Sequence, residues 1–327
     1  MALNDFSTIR PNSKNGGVDP LELAIEEFTG VVEGTIARKS VLKGMIPVKP
    51  VRGTATLSNY AVGESTLQAL GQTGATLDGT SNDFSKINIT VDTVVAARAT
   101  LPLLDVFQTN FDARKEIGVE HGKKIAKFYD QSFFIQAIKA AALASSPYGS
   151  DGHFGGSTKT LSASGDKDDP AKLYSAIADL FTTMEEKDVE PGTDDIMLAF
   201  KPAQFYTLLQ AEQIVNGEYV TADGTSIKGM IFKAFGCPAI RSNNLPAGET
   251  ISSHLLSNAG NSNAYDGNFS KVVAVAFSPR ALLAGETIPL QTKVFFDDVS
   301  KLWFVDAWLS YAVTPNRPEY AGSILLP

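Results

Sequence analysis

Between Phe111 and Ser145 the chain reads FDARKEIGVEHGKKIAKFYDQSFFIQAIKAAALAS, with no proline. Apolar residues at Ile117, Ile125, Phe128, Ile135, Ile138 and Ala142 keep to one face of a helix with ~3.6 residues per turn. Asn110 or Thr109 is placed to cap its start. Asp112 and Glu116 fall in the first turns, where the helix dipole favours anions. Pro147 and Gly149 end the run. At ~1.5 Å per residue such a helix is about 50 Å long, whereas an average helix has only ~11–12 residues. A rod of that length needs packing along it, so it is expected to form a spine. Gly118 and Gly122 lie four apart on one face. Each costs ~1 kcal/mol of helix stability relative to Ala, a cost that close approach of another segment would explain.

Upstream, residues 1–20 are polar and broken by Pro11, Gly16, Gly17 and Pro20, and read as an extended arm. Asp19 and Pro20 then suit the start of a short helix with Leu21, Ile25, Phe28 and Val32 on one face. From Val51 the period changes to two. Ala55 and Leu57 alternate with Thr54, Thr56 and Ser58, and Ile87, Ile89 and Val91 alternate with Lys86, Asn88, Thr90 and Asp92. Two strands follow from this pattern. About twenty Gly-, Ser- and Thr-rich residues join them, which predicts a two-stranded ribbon. An isolated hairpin is marginal in water, so a ribbon that projects predicts a second subunit to lie on.

Downstream, residues 145–170 read as a loop. Asp169 caps and Pro170 opens a helix with Leu173, Ile177, Phe181 and Met184 on one face. Ile196–Phe200 reads as a buried strand, and Pro202 opens a helix through Phe205, Leu208 and Leu209. GEYVTADGT suggests a turn between short strands, Gly236–Ile240 a strand, and AGNSNAYDGNFS a surface loop. Val272–Phe277 is a fully apolar strand. Thr292–Phe296 and Leu302–Val313 flank FDDVSK as a hairpin, with Trp303, Val305, Ala307 and Leu309 on one side. The tail NRPEYAGSILLP reads as extended. No repeat of 20–50 residues is present.

The chain has 327 residues, enough for about two domains, with 43% hydrophobic and 20% charged residues. No run of 18 apolar residues suggests a membrane span, and the polar N-terminus lacks the apolar core of a secretory signal. A single cysteine, Cys237, excludes an intrachain disulfide and fits a reducing compartment. The net charge of −8 argues against a dedicated nucleic-acid binder. Residues 166–195 carry ten Asp/Glu against three Lys/Arg, while residues 111–145 carry six Lys/Arg against four Asp/Glu. Solvated helix faces account for both clusters.

No catalytic constellation emerges. His121, His153 and His254 have no partner at a recognised metal spacing. His121 sits at helical spacing from Ile117 and Ile125 and suits packing. GVEHGKK lacks the glycine spacing and the Ser or Thr of a phosphate loop, and no strand precedes it. Ser164 to Lys167 matches an S-x-x-K pattern in a polar loop, with no companion motif. Asp194/Asp195 and Asp297/Asp298 are adjacent pairs that need not converge. Catalytic, cofactor and metal residues are therefore expected to be none.

The order of parts carries a resemblance. An N-terminal arm, a long two-stranded excursion with a Gly-rich tip, a spine helix, a mixed α/β body and a returning β-hairpin follow one another. The segments concerned are EEFTGVVEGTIARKSVLKG (26–44), GTATLSNYAVGESTLQ (53–68), INITVDTVVAARATLPLLD (87–105) and IMLAFKPAQFYTLL (196–209). VVAVAFSPRALLAG and WFVDAWLSYAVTPNRPEYAG complete the set. Together they resemble the major capsid proteins of tailed bacteriophages, with the HK97-like fold, and most of all those of short-tailed phages (podoviruses).

The resemblance implies an α+β fold: residues 1–50 as an N-arm, 51–99 as the E-loop ribbon, 100–150 as a P-domain with the spine helix, 151–270 as the axial A-domain, and 271–327 as closing strands shared by both. It implies a structural virion protein and no enzyme. Copies would assemble as hexamers and pentamers into an icosahedral capsid round double-stranded DNA, in the host bacterial cytoplasm. Arg52, Tyr60, Glu64, Leu67, Leu70, Leu77, Asp83 and Phe84 become inter-subunit contact candidates of the ribbon. Ile117, Ile125, Phe128, Ile135 and Ile138 become the packing residues of the spine. Some relatives join subunits by an isopeptide bond from an E-loop lysine. No lysine occurs between Arg52 and Lys86, so non-covalent contacts or a separate decoration (cement) protein are expected instead. A short N-terminus points to a separate scaffolding protein, and a portal protein is a further expected partner. No membrane is involved. An encapsulin-like compartment shell is the alternative, and a soluble enzyme with a non-local active site a weaker one.

Overall fold

The computed structural model describes residues 40–67, 84–103, 113–149, 152–211 and 232–327, together with Val32, Thr35, Ile36 and Asn82. Strands β1 (Val48–Pro50), β2 (Thr56–Val62), β3 (Phe84–Thr90) and β4 (Val95–Pro102) precede helix α1 (Ala113–Ala142). After it come β5 (Ser157–Thr160), α2 (Pro170–Glu185), β6 (Met197–Phe200), α3 (Pro202–Leu208), β7 (Phe232–Ala234) and β8 (Cys237–Arg241). The chain closes with β9 (Thr250–Ile251), β10 (Gly267–Asn268), β11 (Val272–Phe277), β12 (Leu282–Asp297), β13 (Leu302–Pro315) and β14 (Ala321–Leu325). The expected helix near residues 20–32 lies outside the described residues except for Val32, which is helical and buried. The capping positions Thr109 and Asn110 and the GEYVTADGT turn also lie outside them.

The chain divides into two units. One contains Thr93–Tyr129 and Ile288–Tyr311 with the segment ending at Lys43; the other contains Gly44–Asp92, Asp130–Thr287 and Ala312–Pro327. In the first unit β13 pairs antiparallel with β4, from Leu302↔Pro102 to Leu309↔Val95. The first half of α1 carries Phe128 edge-on to Tyr311 at 6.3 Å, and His121 Nε2 lies 3.3 Å from the Val305 carbonyl oxygen. Gly122 is buried because Thr35 crosses there: a Cβ at Gly122 would sit 2.7 Å from Thr35 Cβ and 3.0 Å from the Val32 carbonyl oxygen. That close approach gives the helix glycine its reason.

The second unit is built on a six-stranded mixed sheet, in the order β5-β14-β11-β6-β8-β7. Asp169 Oδ1 accepts hydrogen bonds from the backbone N–H groups of Ala171 and Lys172, capping α2 behind Pro170. The Leu173, Ile177, Phe181 and Met184 face of α2 then enters a core with Leu198, Phe200, Phe205, Leu208, Val273 and Ile324. Phe134 of α1 packs edge-on against Phe277 of β11 at 6.2 Å.

Several elements differ from expectation. The helix reading holds for α1, but a single apolar face does not extend along it. From Ser132 to Ala141 almost every residue is buried, including Ser132 and Gln136, while Ala142 is exposed. Hydrogen bonds make this possible. Asn244 Nδ2 donates to Asp130 Oδ2 at 2.9 Å, and Gln136 Nε2 donates to the Ala264 carbonyl oxygen at 3.0 Å. The 145–170 loop contains β5, a polar strand that alternation cannot reveal; its ladder partner is β14, the supposed tail. Val95–Pro102 forms its own strand, and β12 begins ten residues before the expected hairpin arm.

The AGNSNAYDGNFS loop is not all surface. Tyr265 and Phe269 are buried, and Tyr265 stacks on His254 with ring centroids 5.2 Å apart. Side chains there replace ladder bonds: the Asp266 carboxylate accepts from the backbone N–H groups of Ser253 and His254 and from Ser257 Oγ. Those donors hold its pKa below the usual carboxylate range despite burial.

Candidate functional site

The ribbon forms as an antiparallel pair, from Thr56↔Thr90 to Val62↔Phe84. Alternation gives it two unlike faces. On the inner face lie Leu57, Asn59, Ala61, Ile87 and Ile89. Ala61 and Ile87 form a small buried cluster with Tyr148. Leu57, Val51 and Val91 close on Gly285, where an added Cβ would find Val51 Cγ2 at 3.0 Å.

A polar knot fixes the same face. Asn59 Nδ2 donates to Tyr148 Oη at 2.8 Å and to Asn316 Oδ1 at 2.9 Å. Tyr148 Oη donates to Asn316 Oδ1 at 2.6 Å, and Asn316 Nδ2 donates to the Arg280 carbonyl oxygen at 3.2 Å. Burial raises the Tyr148 pKa, so its hydroxyl keeps the proton it donates. The base of the ribbon therefore rests on its own unit, a restraint that sequence reasoning missed. No motif marks it, since Asn59 and Asn316 are 257 positions apart.

Among the described residues, the outer face has no such cover at the end carrying Val62 and Phe84. Tyr60 is 66% exposed, Val62 49% and Phe84 77%, and Leu67 just beyond the strands is 99% exposed. Val62 and Phe84 are cross-strand partners, as are Tyr60 and Lys86, whose Nζ lies 5.6 Å from the Tyr60 ring centroid. Asn82 Nδ2 donates to Ser65 Oγ at 2.8 Å, joining the two chain segments past the last strand pair. Arg52 and Glu64 are also exposed, with Glu64 beside Gly152. The structure thus gathers Tyr60, Val62 and Phe84 on one face. Val62 was not singled out from the sequence, although its alternation with Tyr60 was readable. Leu70, Leu77 and Asp83 lie outside the described residues. Of the spine positions, Ile125, Ile135 and Ile138 are buried, and Ile117 and Phe128 are half-buried.

Groups capable of chemistry are dispersed. Among the described residues, no three His, Cys, Asp or Glu side chains converge on a metal-sized site. Cys237 Sγ donates to the Pro191 carbonyl oxygen at 2.9 Å, and burial pushes its pKa up to about 11, which makes it a poor nucleophile. No described helix is long and apolar enough to cross a membrane.

A family model described as Gp10A-like major capsid protein matches residues 66–283, two thirds of the chain. The chain belongs to this family of major capsid proteins. Solved structures agree on the fold. The capsid protein of cyanophage P-SCSP1u superposes with a TM-score of 0.73 at 18% identity, over 88% of each chain. That of the bacteriophage PhiM1 mature capsid gives 0.72 at 22% identity, over 88% of this chain and 87% of the other. A virus-like particle from Pyrococcus furiosus is more distant, at 0.55 and 10% identity, over 92% of this chain and 99% of the other. No curated protein matches the sequence. The capsid protein has the HK97-like fold, of α+β class, with ribbon, long helix and mixed α/β body. Family and fold give it a structural role as a component of a phage-like capsid, associating with copies of itself.

Proposed function

We propose that the capsid protein closes into an icosahedral shell of hexamers and pentamers round the double-stranded DNA of a tailed phage, with the ribbon of each copy lying on a neighbour. The observation that carries this reading is the exposed apolar cluster at one end of the ribbon's outer face, Tyr60, Val62 and Phe84 with Leu67 beyond, on strands whose other face is already anchored. Exposed aromatic and aliphatic side chains grouped on one face mark an interaction surface.

In this reading residues 1–50 are the N-arm, 51–99 the E-loop, 100–150 the P-domain segment, 151–270 the A-domain, and 271–327 the closing strands. Arg52, Glu64, Leu70, Leu77 and Asp83 join Tyr60, Leu67 and Phe84 in the intersubunit contact, and Ile117, Ile125, Phe128, Ile135 and Ile138 pack the spine. Assembly takes place in the host bacterial cytoplasm on a separate scaffolding protein, with a portal protein at one vertex. A decoration protein reinforces shells that lack a lysine cross-link in the ribbon.

The test is a double variant, Tyr60→Ser with Phe84→Ser, mixed with scaffolding protein and followed by electron microscopy and light scattering. The parent is expected to form closed particles. The variant should stay as subunits with the parental circular dichroism and melting point. Closed shells at parental yield would remove the ribbon from the interface. Cellular particles holding protein cargo and no DNA would instead support the compartment-shell alternative.

A further inference from the structure

The segment from Gly152 to Gly156 is a strap laid between the ribbon and the C-terminal end of α1. At one end, a Cβ on Gly152 would sit 3.0 Å from Glu64 Cβ, just past β2. At the other, a Cβ on Gly155 would lie 2.4 Å from the Ala144 carbonyl oxygen, and the Gly156 N–H donates to the Leu143 carbonyl oxygen at 2.8 Å. Between them the His153 ring packs on Tyr148 with centroids 5.5 Å apart. One side chain clamps the strap. Lys187, just past α2, donates from Nζ to the Gly155 carbonyl oxygen at 3.1 Å, to the Gly156 carbonyl oxygen at 2.7 Å and to Ser157 Oγ at 2.9 Å. An ammonium has three hydrogens, so all of them are spent on the strap and the start of β5. Beside this clamp lies a carboxyl group with nothing to hold it. Glu319, in the turn from β13 to β14, is 6% exposed, and its Oε2 has no hydrogen-bond partner among the described residues. The charged and titratable groups round it are Arg317, His153 and Lys187, and the Tyr148 hydroxyl senses its charge. His153 Nε2 is buried and likewise unpartnered among the described residues. Burial lowers the Lys187 pKa and the Glu319 charge opposes that shift, so clamp and carboxyl group act on one another.

We infer that Glu319 is a proton-operated release for this strap. Protonated, its carboxyl group makes no claim on Lys187, and its O–H has His153 Nε2 as the open acceptor of the cluster. Ionised, it competes with the Gly155 and Gly156 carbonyl groups for the same ammonium. A carboxylate wins that competition over a neutral carbonyl oxygen, because opposite charges add Coulomb attraction that a half-buried site screens poorly. Loss of the proton therefore loosens the strap, while the knot of Asn59, Tyr148 and Asn316 still holds the base of the ribbon. The sign agrees with the effect of burial, which raises the Glu319 pKa above its ordinary 4.5. The closed arrangement holds the proton more tightly, so it is favoured in acid and given up as pH rises through the folded value. The ribbon thus has two supports, a fixed one at Asn59 and a pH-sensitive one beside Glu64. The inference concerns the subunit itself and stands apart from what a shell of such subunits would enclose.

The test is hydrogen exchange of the full-length capsid protein at about pH 4.5, 6 and 8, read by mass spectrometry. Rates are expressed as protection factors, which removes the intrinsic effect of pH on exchange. In the parent, protection of the strap and β5 should fall as pH rises, about tenfold for each unit by which closing shifts Glu319. The amides of β6 and β11 should hold constant. In Glu319→Gln the strap should keep its acid-level protection at all three pH values. In Lys187→Met it should be poorly protected at all three. The two variants of one cluster thus move the strap in opposite directions, and if Lys187→Met fails to fold, the parent and Glu319→Gln decide. Strap protection that is flat with pH in the parent, or a step that survives in Glu319→Gln, would overturn the inference. So would a parallel fall in β6 and β11, which would mean loosening of the whole unit. A higher melting point for Glu319→Gln with parental strap protection at every pH would likewise overturn it and leave Glu319 a buried charge with no hold on the strap.

Discussion

Replacing Tyr148 by Phe takes one oxygen from the anchor of the ribbon and leaves the ring in place beside Ala61 and Ile87. That oxygen donates to Asn316 Oδ1 at 2.6 Å and accepts from Asn59 Nδ2 at 2.8 Å. With the hydroxyl gone, Asn59 still donates to Asn316 at 2.9 Å, so neither amide is left wholly unpaired. The loss is then the net worth of two hydrogen bonds, about 2 kcal/mol in all, without the larger penalty of an orphaned buried group. Asn316→Ala removes the acceptor shared by both donors. The Tyr148 proton is then buried without an acceptor, which adds ~1–3 kcal/mol. The two variants should therefore rank Asn316→Ala above Tyr148→Phe in cost.

Hydrogen exchange of the β2 and β3 amides is the direct assay. If the ribbon opens locally, 2 kcal/mol corresponds to about 30-fold faster exchange in Tyr148→Phe, with the amides of β6 and β11 unchanged. Shell yield with scaffold should fall in the same order, since a splayed ribbon presents Tyr60 and Phe84 in the wrong place. Unchanged exchange in Tyr148→Phe, or equal effects of both variants, would refute the knot as the anchor. The raised Tyr148 pKa adds a pH signature. A group whose pKa is higher in the folded state contributes its full stability below the unfolded value, ~10 for tyrosine, and loses it as pH rises through the folded value. The anchor should therefore hold through the neutral range and weaken only in alkali.

Gly156→Ala should prevent folding of the second unit or cost well over ~3 kcal/mol, because the new Cβ would lie 2.3 Å from the Ala140 carbonyl oxygen and 2.4 Å from that of Ala141. Soluble yield and thermal unfolding would show it, and a parental melting point would refute the packing. Asp169→Ala should cost about 1 kcal/mol by uncapping α2, read from chemical denaturation; Asp169→Asn should restore most of it. Glu319→Gln should raise the melting point at pH 7. Burial lifts the Glu319 pKa above its ordinary 4.5, against the opposing pull of its own backbone N–H, Arg317, His153 and Lys187, and its Oε2 has no partner among the described residues. The sign follows: the folded state holds this proton more tightly, so stability is greatest below pH 4.5 and falls as pH rises through the folded value. The advantage of Gln should shrink towards pH 4, and an equal difference at both pH values would refute the burial argument.

Elements whose signals are local were legible in the sequence. Asp169-Pro170 announces α2, and the Ile87/Ile89 alternation announces β3, because cap and pleat are each set within a few residues. Elements defined by a distant partner were not. Ser157–Thr160 is polar and becomes a strand only because Gly322 to Leu325 offers it a parallel ladder. Of the candidate interface, Tyr60 and Phe84 are implied by the resemblance, and the strand pairing places them on one face with Val62. The anchor was not legible, because Asn59, Tyr148 and Asn316 each look like ordinary polar or aromatic residues until the fold brings them within 3 Å of one another.

The spine shows how a pattern can be read correctly and still be incomplete. Its charges fall at Arg114, Lys115, Glu116, Glu120, Lys123, Lys124, Lys127 and Asp130; from Gln131 to Ala142 only Lys139 is charged. That asymmetry marks the change from a one-sided helix to an enclosed one, and Asp130 is where it happens. Lys139 is the exception that explains the rest. Its ammonium donates to the Ala264 and Asp266 carbonyl oxygens, each at 2.7 Å, and burial lowers its pKa. An enclosed helix must satisfy every polar side chain it carries. For Gln136 and Lys139 the backbone carbonyl groups of Ala264 and Asp266 do this, and for Asp130 the Asn244 amide does.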